Sequence, residues 1–297
     1  SEVTAGFMWQ KTTRESKKYQ LRGEILSFIP VDKNVEIMLV TITNTGRMAQ
    51  TVTPTAAIPL YGRSADNIRD HRHVTSLLHR IETTDTGVLV TPTLSFDERG
   101  HQVNHMTYYC VGWSGNGEKP VDFYPTAEDF VGEGGNFERP YAIVKNAEGV
   151  KAGTKIEGLE AVGGLHFSEI TLEPEEECSY LIFTGITEDI QEIRNLSKTY
   201  TTREKVLEEL EKTKAYWQEK VNVAYHTGDS DFNQFMHWVS FQPILRRIYG
   251  CSFLPHHDYG KGGRGWRDLW QDCLALLIMN PDGVRQMLLD NFAGVRI

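Results

Sequence analysis

The sequence predicts an antiparallel β-sandwich followed by a helical region. Runs of β-prone residues, separated by turn residues, recur from the start of the chain to about Thr187 without helical periodicity between them. At Thr201 the pattern changes, and apolar residues then recur at the spacing of an α-helix. Regular alternation of strands and turns without intervening helices favours an antiparallel sandwich over a parallel sheet.

The strands of the sandwich are predicted from their β-branched and aromatic residues. The clearest strand is Val35–Thr43, which is closed by the turn residues Asn44-Thr45-Gly46. Four further segments are predicted as strands: Thr51–Leu60, Gly87–Thr91, Met106–Val111 and Ser179–Thr184.

Two glycine-rich segments in this half, Gly112–Gly117 and Asp129–Asn136, are predicted to be loops between strands. Both combine glycine with aromatic and polar residues. Their alternative, functional interpretation is a sugar-contacting edge that leans over a neighbouring domain.

The helical region divides into a linker and a second domain. Thr201 and Glu204 have the spacing of a capping box, and the apolar residues that follow form a partial helical stripe. A further helix is predicted over Asp231–Tyr249, where Pro243 could kink the helix or start a new turn. We therefore expect a sandwich over residues 1–194, a helical linker over 195–228 and a helical domain over 229–297.

Composition excludes several classes of protein. The chain has 297 residues, 40% of them hydrophobic, which is enough for substantial cores. Its net charge of −9 and the absence of a basic run argue against nucleic acid or an anionic membrane as partner. No apolar run reaches the length of a membrane span, the start does not resemble a signal peptide, and the four cysteines form no CxxC pair. A cytoplasmic location is the expectation.

The stretch with the most chemical content is Gly260–Asp272, in which a glycine-rich loop leads into an apolar run. Asp268 is predicted near the start of the resulting helix, where free N–H groups keep a carboxylate ionised. Arg267 adds guanidinium donors, and Trp266 and Trp270 add flat apolar faces that suit sugar rings. Taken alone, Asp268 could simply cap the helix. Nucleotide binding is a poor fit, because neither a GxGxxG after a strand nor a GxxxxGK[ST] motif occurs.

The run Gly265-Trp266-Arg267-Asp268, followed by Gln271-Asp272, resembles the signature of the inverting sugar phosphorylases of glycoside hydrolase family 94. The segments Ile42–Gly46 and Phe137–Pro140 also resemble the N-terminal sandwich of that family. The resemblance implies a supersandwich-like domain, a helical linker and an (α/α)6 barrel, of which Asp231–Tyr249 would be the first helix.

A full barrel of that type has about twelve helices, and helices average about 11–12 residues. The residues after the linker can supply only about three. We therefore expect the chain to be a fragment or one piece of a split protein, completed by a second polypeptide or by a missing C-terminal part.

The resemblance also implies a reaction, in which inorganic phosphate cleaves a β-glucoside or β-glucan and releases an α-sugar 1-phosphate with inversion. No other cofactor is implied. The general acid and the phosphate site of the family lie later in the barrel, so no catalytic residue is assigned in this chain. Asp268 is expected to accept hydrogen bonds from sugar hydroxyls with Arg267 as its donor partner, and Trp266 and Gln271 are further substrate-binding candidates.

Related enzymes often carry an arginine six places before this aspartate, where Gly262 stands in this sequence, so Lys261 or Arg264 could substitute. Two other functions stay open: an inverting glycoside hydrolase of the same architecture, and a non-catalytic carbohydrate-binding module. Phosphate-independent release of sugar would favour the first. His256-His257-Asp258 is interpreted as loop polarity rather than a metal site, because adjacent side chains point in opposite directions. The substrate is expected to be a β-1,2-glucan or a related β-glucoside.

Overall fold

The computed structural model describes residues 1–62, 75–97, 100–249 and 266–292. The chain divides into two compact units. Among the described residues, the first unit ends at Glu211 and the second begins at Lys212. The glycine-rich loop before Trp266 and the His256-His257-Asp258 segment lie outside the described residues.

The first unit is built mainly from β-strands, all of which pair antiparallel. The strands are β1 Glu2–Gly6, β2 Trp9–Ser16, β3 Leu21–Phe28, β4 Val35–Asn44, β5 Gln50–Val52, β6 Thr55–Leu60, β7 Arg80–Thr83, β8 Gly87–Val90, β9 Leu94–Asp97, β10 Gly100–Val103, β11 Thr107–Ser114, β12 Asp122–Thr126, β13 Lys155–Glu157, β14 Ala161–His166, β15 Ile170–Leu172 and β16 Glu177–Thr187. The helices are α1 Ala127–Val131, α2 Tyr141–Val144, α3 Ile190–Thr199 and α4 Arg203–Lys220, the last of which continues past Glu211.

A nine-stranded sheet dominates this unit. Its strand order is β1-β2-β3-β4-β16-β11-β8-β7-β13, so that the last strand of the unit in sequence occupies the centre of the sheet. A three-stranded sheet, β12-β14-β6, forms a second layer, and two short pairs, β15-β5 and β9-β10, complete the β-structure. The predicted antiparallel sandwich is confirmed.

The centre of the large sheet is buried on both faces. Successive side chains of a strand point to opposite sides, so one strand can contribute to two cores. In β16, Leu181 and Phe183 enter one hydrophobic core, which includes Ile193 and Leu196 of α3. Ile182, which stands between them in the chain, enters the core facing the three-stranded sheet. The order of layers is therefore helices, large sheet, small sheet.

Gly163 of β14 allows the two sheets to approach closely. A Cβ atom built on Gly163 would lie 2.2 Å from Cβ of Cys110 on β11, which is far inside van der Waals contact. Cys110 is fully buried, and burial raises the pKa of its thiol to about 12. The thiol therefore stays neutral and packs as a small apolar group.

We expect Gly163→Ala to lower the free energy of unfolding of the first unit by about 2 kcal/mol, because an extra methyl group forces the layers apart. Urea denaturation of the full chain measures this change. Gly23→Ala is the matched control, because a Cβ at Gly23 of β3 meets nothing within 4 Å. A Gly163→Ala protein as stable as the control would show that the sheets separate without cost.

Four of the predicted strands match observed strands closely, and the fifth, Thr51–Leu60, is broken at Pro54 into β5 and β6. The break fits the residue, since proline cannot donate to a sheet ladder. The prediction that Gly112–Gly117 is a loop is wrong for its first three residues, which continue β11. Trp113 of this segment is 3% exposed, and its Nε1 donates to the carbonyl of Tyr200 at 3.0 Å. Asp129–Asn136 begins inside α1 and becomes irregular after Val131.

The predicted linker region holds the end of α3 and the whole of α4 rather than one continuous helix. The predicted boundaries at residues 194 and 228 remain predictions. Val206 and Leu210, in the first half of α4, are buried in the core of the first unit. Their burial explains why this part of α4 belongs to that unit.

The second unit contains the rest of α4 and three further helices, α5 Ser230–Tyr249, α6 Trp266–Met279 and α7 Val284–Phe292. The helix predicted over Asp231–Tyr249 is confirmed, and it runs through Pro243 without a break. Trp217 of α4 packs edge-on against Phe241 of α5, with ring centroids 5.2 Å apart. The amide of Asn222 donates to the carbonyl of Met279 at 3.0 Å, which ties the chain after α4 to the end of α6. The full (α/α)6 barrel stays a prediction.

Candidate functional site

The residues of the predicted sugar signature lie in the first two turns of α6. Trp266 is the first residue of the helix, so Asp268 is in the first turn, as predicted. Free backbone N–H groups and the helix dipole favour a negative charge there. The side chain of Trp266 lies outside the described structure.

Arg267 and Asp268 form an exposed ion pair. Arg267 Nη2 lies 3.2 Å from Asp268 Oδ1, and the two side chains are 84% and 52% exposed. An ion pair with this exposure contributes little to stability. The carboxylate oxygens and the remaining guanidinium N–H groups are therefore accessible to a ligand that brings both donors and acceptors, as a sugar does.

Asp272, one helical turn after Asp268, is the buried carboxylate of this helix. Its side chain is 4% exposed, and both of its oxygens accept hydrogen bonds from Nε of Arg246 on α5, at 2.9 and 2.8 Å. Arg246 Nη2 also donates to Asp272. This bidentate pair joins α5 to α6.

Asp268 and Asp272 are four residues apart and so lie near the same face of α6, where two like charges repel each other. Arg246 relieves that repulsion. The hydrogen bond to Asp272 raises the pKa of Arg246, and the charges of Asp272 and Asp268 act in the same direction. The positive charge of Arg246 is therefore paired directly with Asp272. Asp268 also interacts with this charge, but its own side chain stays exposed.

Gln271 lies on the exposed side of α6, four residues after Arg267. The same side continues with apolar residues: Leu274 is 68% exposed and Ile278 is 76% exposed. The exposed side of α6 is thus polar near the start of the helix and apolar towards its end. Trp270 instead packs edge-on against Phe292 of α7, with ring centroids 5.4 Å apart, so it joins two helices.

Sequence reasoning located the start of α6 and the Arg267–Asp268 pair but did not assign Arg246. Arg246 lies 26 positions before Asp272, and no local pattern connects them. The spacing of Asp268 and Asp272 was the one sequence signal that could have indicated Arg246. Two carboxylates on one helical face repel each other and are stabilised by a nearby cation. Lys261 and Arg264 lie outside the described residues, so their predicted roles stay predictions.

Comparison with known proteins decides the family. The domain family described as "Glycosyl hydrolase 94, supersandwich domain" matches residues 1–203. The chain belongs to glycoside hydrolase family 94. The resemblance noted in the sequence is thereby confirmed, and the family 94 match covers the whole nine-stranded sheet.

Two curated proteins are similar to this family 94 chain. A cyclic β-(1,2)-glucan synthase, NdvB, of Rhizobium meliloti (strain 1021) is 26% identical over 61% of this chain and 6% of its own length. A 3-O-β-D-glucopyranosyl-β-D-glucuronide phosphorylase of Paenibacillus borealis is 23% identical over 95% of this chain and 34% of its own length. The chain therefore spans about a third or less of each relative.

A solved structure of a candidate kojibiose phosphorylase from the human microbiome superposes on 95% of the chain with a TM-score of 0.51 and 10% sequence identity. The superposition covers 33% of that structure. At this identity the similarity concerns the fold alone.

Three further observations bear on what the described residues can hold. In the part of the chain that the structure describes, no disulfide joins Cys110, Cys178 and Cys273 to one another, and Cys273 is buried in α6. Within the described ranges, no three His, Cys, Asp or Glu side chains gather in a way that could bind a metal ion. None of the described helices is both long and apolar enough to cross a membrane.

Proposed function

We propose that the chain is the sandwich and first helices of an inverting glycoside phosphorylase that cleaves a β-glucoside or β-glucan with inorganic phosphate and gives α-glucose 1-phosphate. Membership of family 94 carries this proposal, and the phosphorylase and glucan synthase among its relatives support it. A β-1,2-glucan or a related β-glucoside is the proposed substrate, in line with the cyclic β-(1,2)-glucan synthase among the relatives.

Arg267 and Asp268 are proposed to hold hydroxyl groups of the sugar. A hydroxyl can donate to the Asp268 carboxylate and accept from the Arg267 guanidinium, and hydrogen bonds with charged partners are the stronger ones. The geometry supports this proposal. Arg246 donates its hydrogen bonds to Asp272, and the side chain of Asp268 stays exposed. Gln271 extends the same polar strip by one turn, and Trp266 is the proposed stacking wall.

The general acid and the phosphate site are proposed to lie on a part of the enzyme outside this chain, either a second polypeptide or a further C-terminal region. Exposed apolar side chains on α5, α6 and α7 of the second unit support this proposal. Phe235 of α5 is 62% exposed, Ile278 of α6 is 76% exposed and Leu289 of α7 is 47% exposed. Apolar faces of this extent are typical of surfaces that another element covers.

Native mass spectrometry of the chain purified from its source, followed by a cleavage assay, tests the proposal. A complex with a helical polypeptide, or a longer chain, that releases α-glucose 1-phosphate from β-1,2-glucan only when phosphate is present is the expected result. Release of free glucose without phosphate would instead favour a glycoside hydrolase of the same architecture. A monomer of this chain that cleaves glucan unaided would contradict the proposal that the general acid and the phosphate site lie outside this chain.

Asp268→Asn in the complete enzyme is expected to reduce kcat/KM for phosphorolysis about 100-fold, since the loss of one charged hydrogen-bond acceptor costs about 1.5–3 kcal/mol. Asp290→Asn is the matched control, because Asp290 lies exposed on α7 and bonds only locally to Gln286 at 2.6 Å in the described structure. Equal activity of the two variants would remove Asp268 from the sugar site.

A further inference from the structure

A cavity of about 860 Å³ opens in the first unit, which does not contain the Arg267–Asp268 pair. Its floor is formed by two paired strands, with Pro59 and Leu60 of β6 opposite Val162 and Ala161 of β14. Leu60, Ala161 and Val162 are buried, so the floor is part of the core of the sandwich. The volume is in the range of small-molecule sites, roughly 300–1,000 Å³.

One wall of the cavity is fixed by His79. Its Nδ1 lies 3.1 Å from the carbonyl of Leu159, and the amide of Gly158 donates to the carbonyl of His79 at 3.0 Å. His79 is 3% exposed, and burial lowers its pKa, so the ring is neutral at pH 7. Because a carbonyl can only accept, Nδ1 carries the proton, and the two bonds together hold Gly158 and Leu159 in place.

The opposite wall is the segment after α1. Gly132 ends the helix with φ of 79°, and Asn136 Oδ1 accepts from the amides of Glu138 and Arg139 at 2.9 and 3.0 Å. Phe137 is 46% exposed at the cavity, and its ring lies 5.9 Å from the buried ring of Phe130. The loop therefore presents one aromatic face that is backed by the core.

The chemistry of the walls favours a neutral ligand with many hydroxyl groups. Three glutamates are among the described residues that line the cavity: Glu128, Glu133 and Glu160. Carboxylates accept hydrogen bonds from hydroxyl groups and repel phosphates, nucleotides and uronic acids. Phe137 supplies a flat apolar surface for the C–H face of a sugar ring.

We propose that this cavity, which we call the sandwich groove, is a second saccharide site that binds a neutral β-glucan oligosaccharide without cleaving it. The choice of β-glucan as ligand rests on the proposed function. The groove provides the enzyme with a glucan-binding site that is separate from the hydroxyl contacts of Arg267 and Asp268.

Isothermal titration of the full chain with linear β-1,2-glucan oligosaccharides tests the proposal. Phe137→Ala is expected to weaken binding about tenfold, as is usual when a central aromatic contact is truncated. Glu133→Gln, which keeps the shape of the side chain but removes its charge, is expected to weaken binding less and to reduce discrimination against uronate-containing oligosaccharides. Tyr19→Ala is the matched control, because Tyr19 is 58% exposed and does not line the groove.

Asp268→Asn, titrated in parallel, separates this proposal from the proposed function. Binding that is unchanged in Asp268→Asn and about tenfold weaker in Phe137→Ala supports the sandwich groove. Binding that is unchanged in Phe137→Ala and weaker in Asp268→Asn overturns the groove and leaves the phosphorylase proposal intact. Absence of any binding by the wild-type chain, or a preference for anionic oligosaccharides, also overturns it, while the phosphorolysis assay decides the proposed function independently.

Discussion

Phe183→Ala is expected to lower the free energy of unfolding of the first unit by about 4 kcal/mol, because it leaves a cavity that the surrounding side chains cannot fill. Phe183 is fully buried at the centre of the nine-stranded sheet. Its ring stacks on Trp113 at 4.7 Å and on Tyr200 at 5.6 Å. Truncation therefore removes the contact through which the sheet and the chain after α3 pack on each other.

Urea denaturation followed by far-UV circular dichroism measures this effect. The matched control is Ile25→Ala in β3, where the side chain is 43% exposed and the expected loss is about 1 kcal/mol. Comparable losses in the two variants would mean that the sheet relaxes around the missing ring. A fall in the slope of the transition, rather than its midpoint, would mean that the denatured state has become more compact or that unfolding is no longer two-state.

Asp272→Ala is expected to destabilise the second unit by about 3 kcal/mol, because it leaves the half-buried guanidinium of Arg246 without its carboxylate. Both oxygens of Asp272 accept hydrogen bonds from that guanidinium. The side chain of Arg246 is 27% exposed, so water can replace part of the lost interaction. The local stability of α5 and α6 can be followed by hydrogen exchange of their backbone amides.

A double substitution identifies the cause of the effect. Arg246→Met in the Asp272→Ala background is expected to recover much of the lost stability, because the partly buried positive charge is then removed as well. Asp290→Ala, which removes an exposed carboxylate of α7, is expected to change stability by less than about 0.5 kcal/mol. If Asp272→Ala resembles Asp290→Ala, the ion pair does not hold the two helices together.

The strands that the sequence predicted are those with a continuous β-prone run. Every side chain of Val35–Asn44 is buried or partly buried, and so is every side chain of Glu177–Thr187 except that of Glu177. Both strands are accordingly rich in β-branched and aromatic residues. β1 and β2 were not predicted, because their sequences, EVTAG and WQKTTRES, contain no continuous β-prone apolar run and their side chains are exposed or only partly buried. Such strands depend on pairing with their neighbours rather than on their own residues.

The prediction of a loop at Gly112 was wrong because it relied on glycine as a turn signal. A glycine in a run of aromatic and polar residues usually indicates a turn, but Gly112 lies inside β11. A Cβ atom there would come within 2.7 Å of the Leu181 carbonyl oxygen and of Ile182 Cδ1, so the residue serves close packing within the sheet. Packing of this kind depends on residues far away in the sequence and has no local signature.

The candidate site was predictable only in its local part. The position of Asp268 near the start of a helix follows from the glycine-rich loop and the apolar run that flank it. Arg246 and the cavity of the sandwich are tertiary features. The cavity brings together residues from β6, the loop after α1 and the start of β14, which are separated by tens of positions in the chain.

The central place of β16 in the large sheet has a consequence for biosynthesis. β1 to β4 form one block and β11, β8, β7 and β13 form another, and β16 pairs with β4 on one side and with β11 on the other. Until Glu177–Thr187 has left the ribosome, each block exposes an open edge that can pair with another nascent chain. The interval before this strand arrives is therefore when the protein most needs the protection of chaperones.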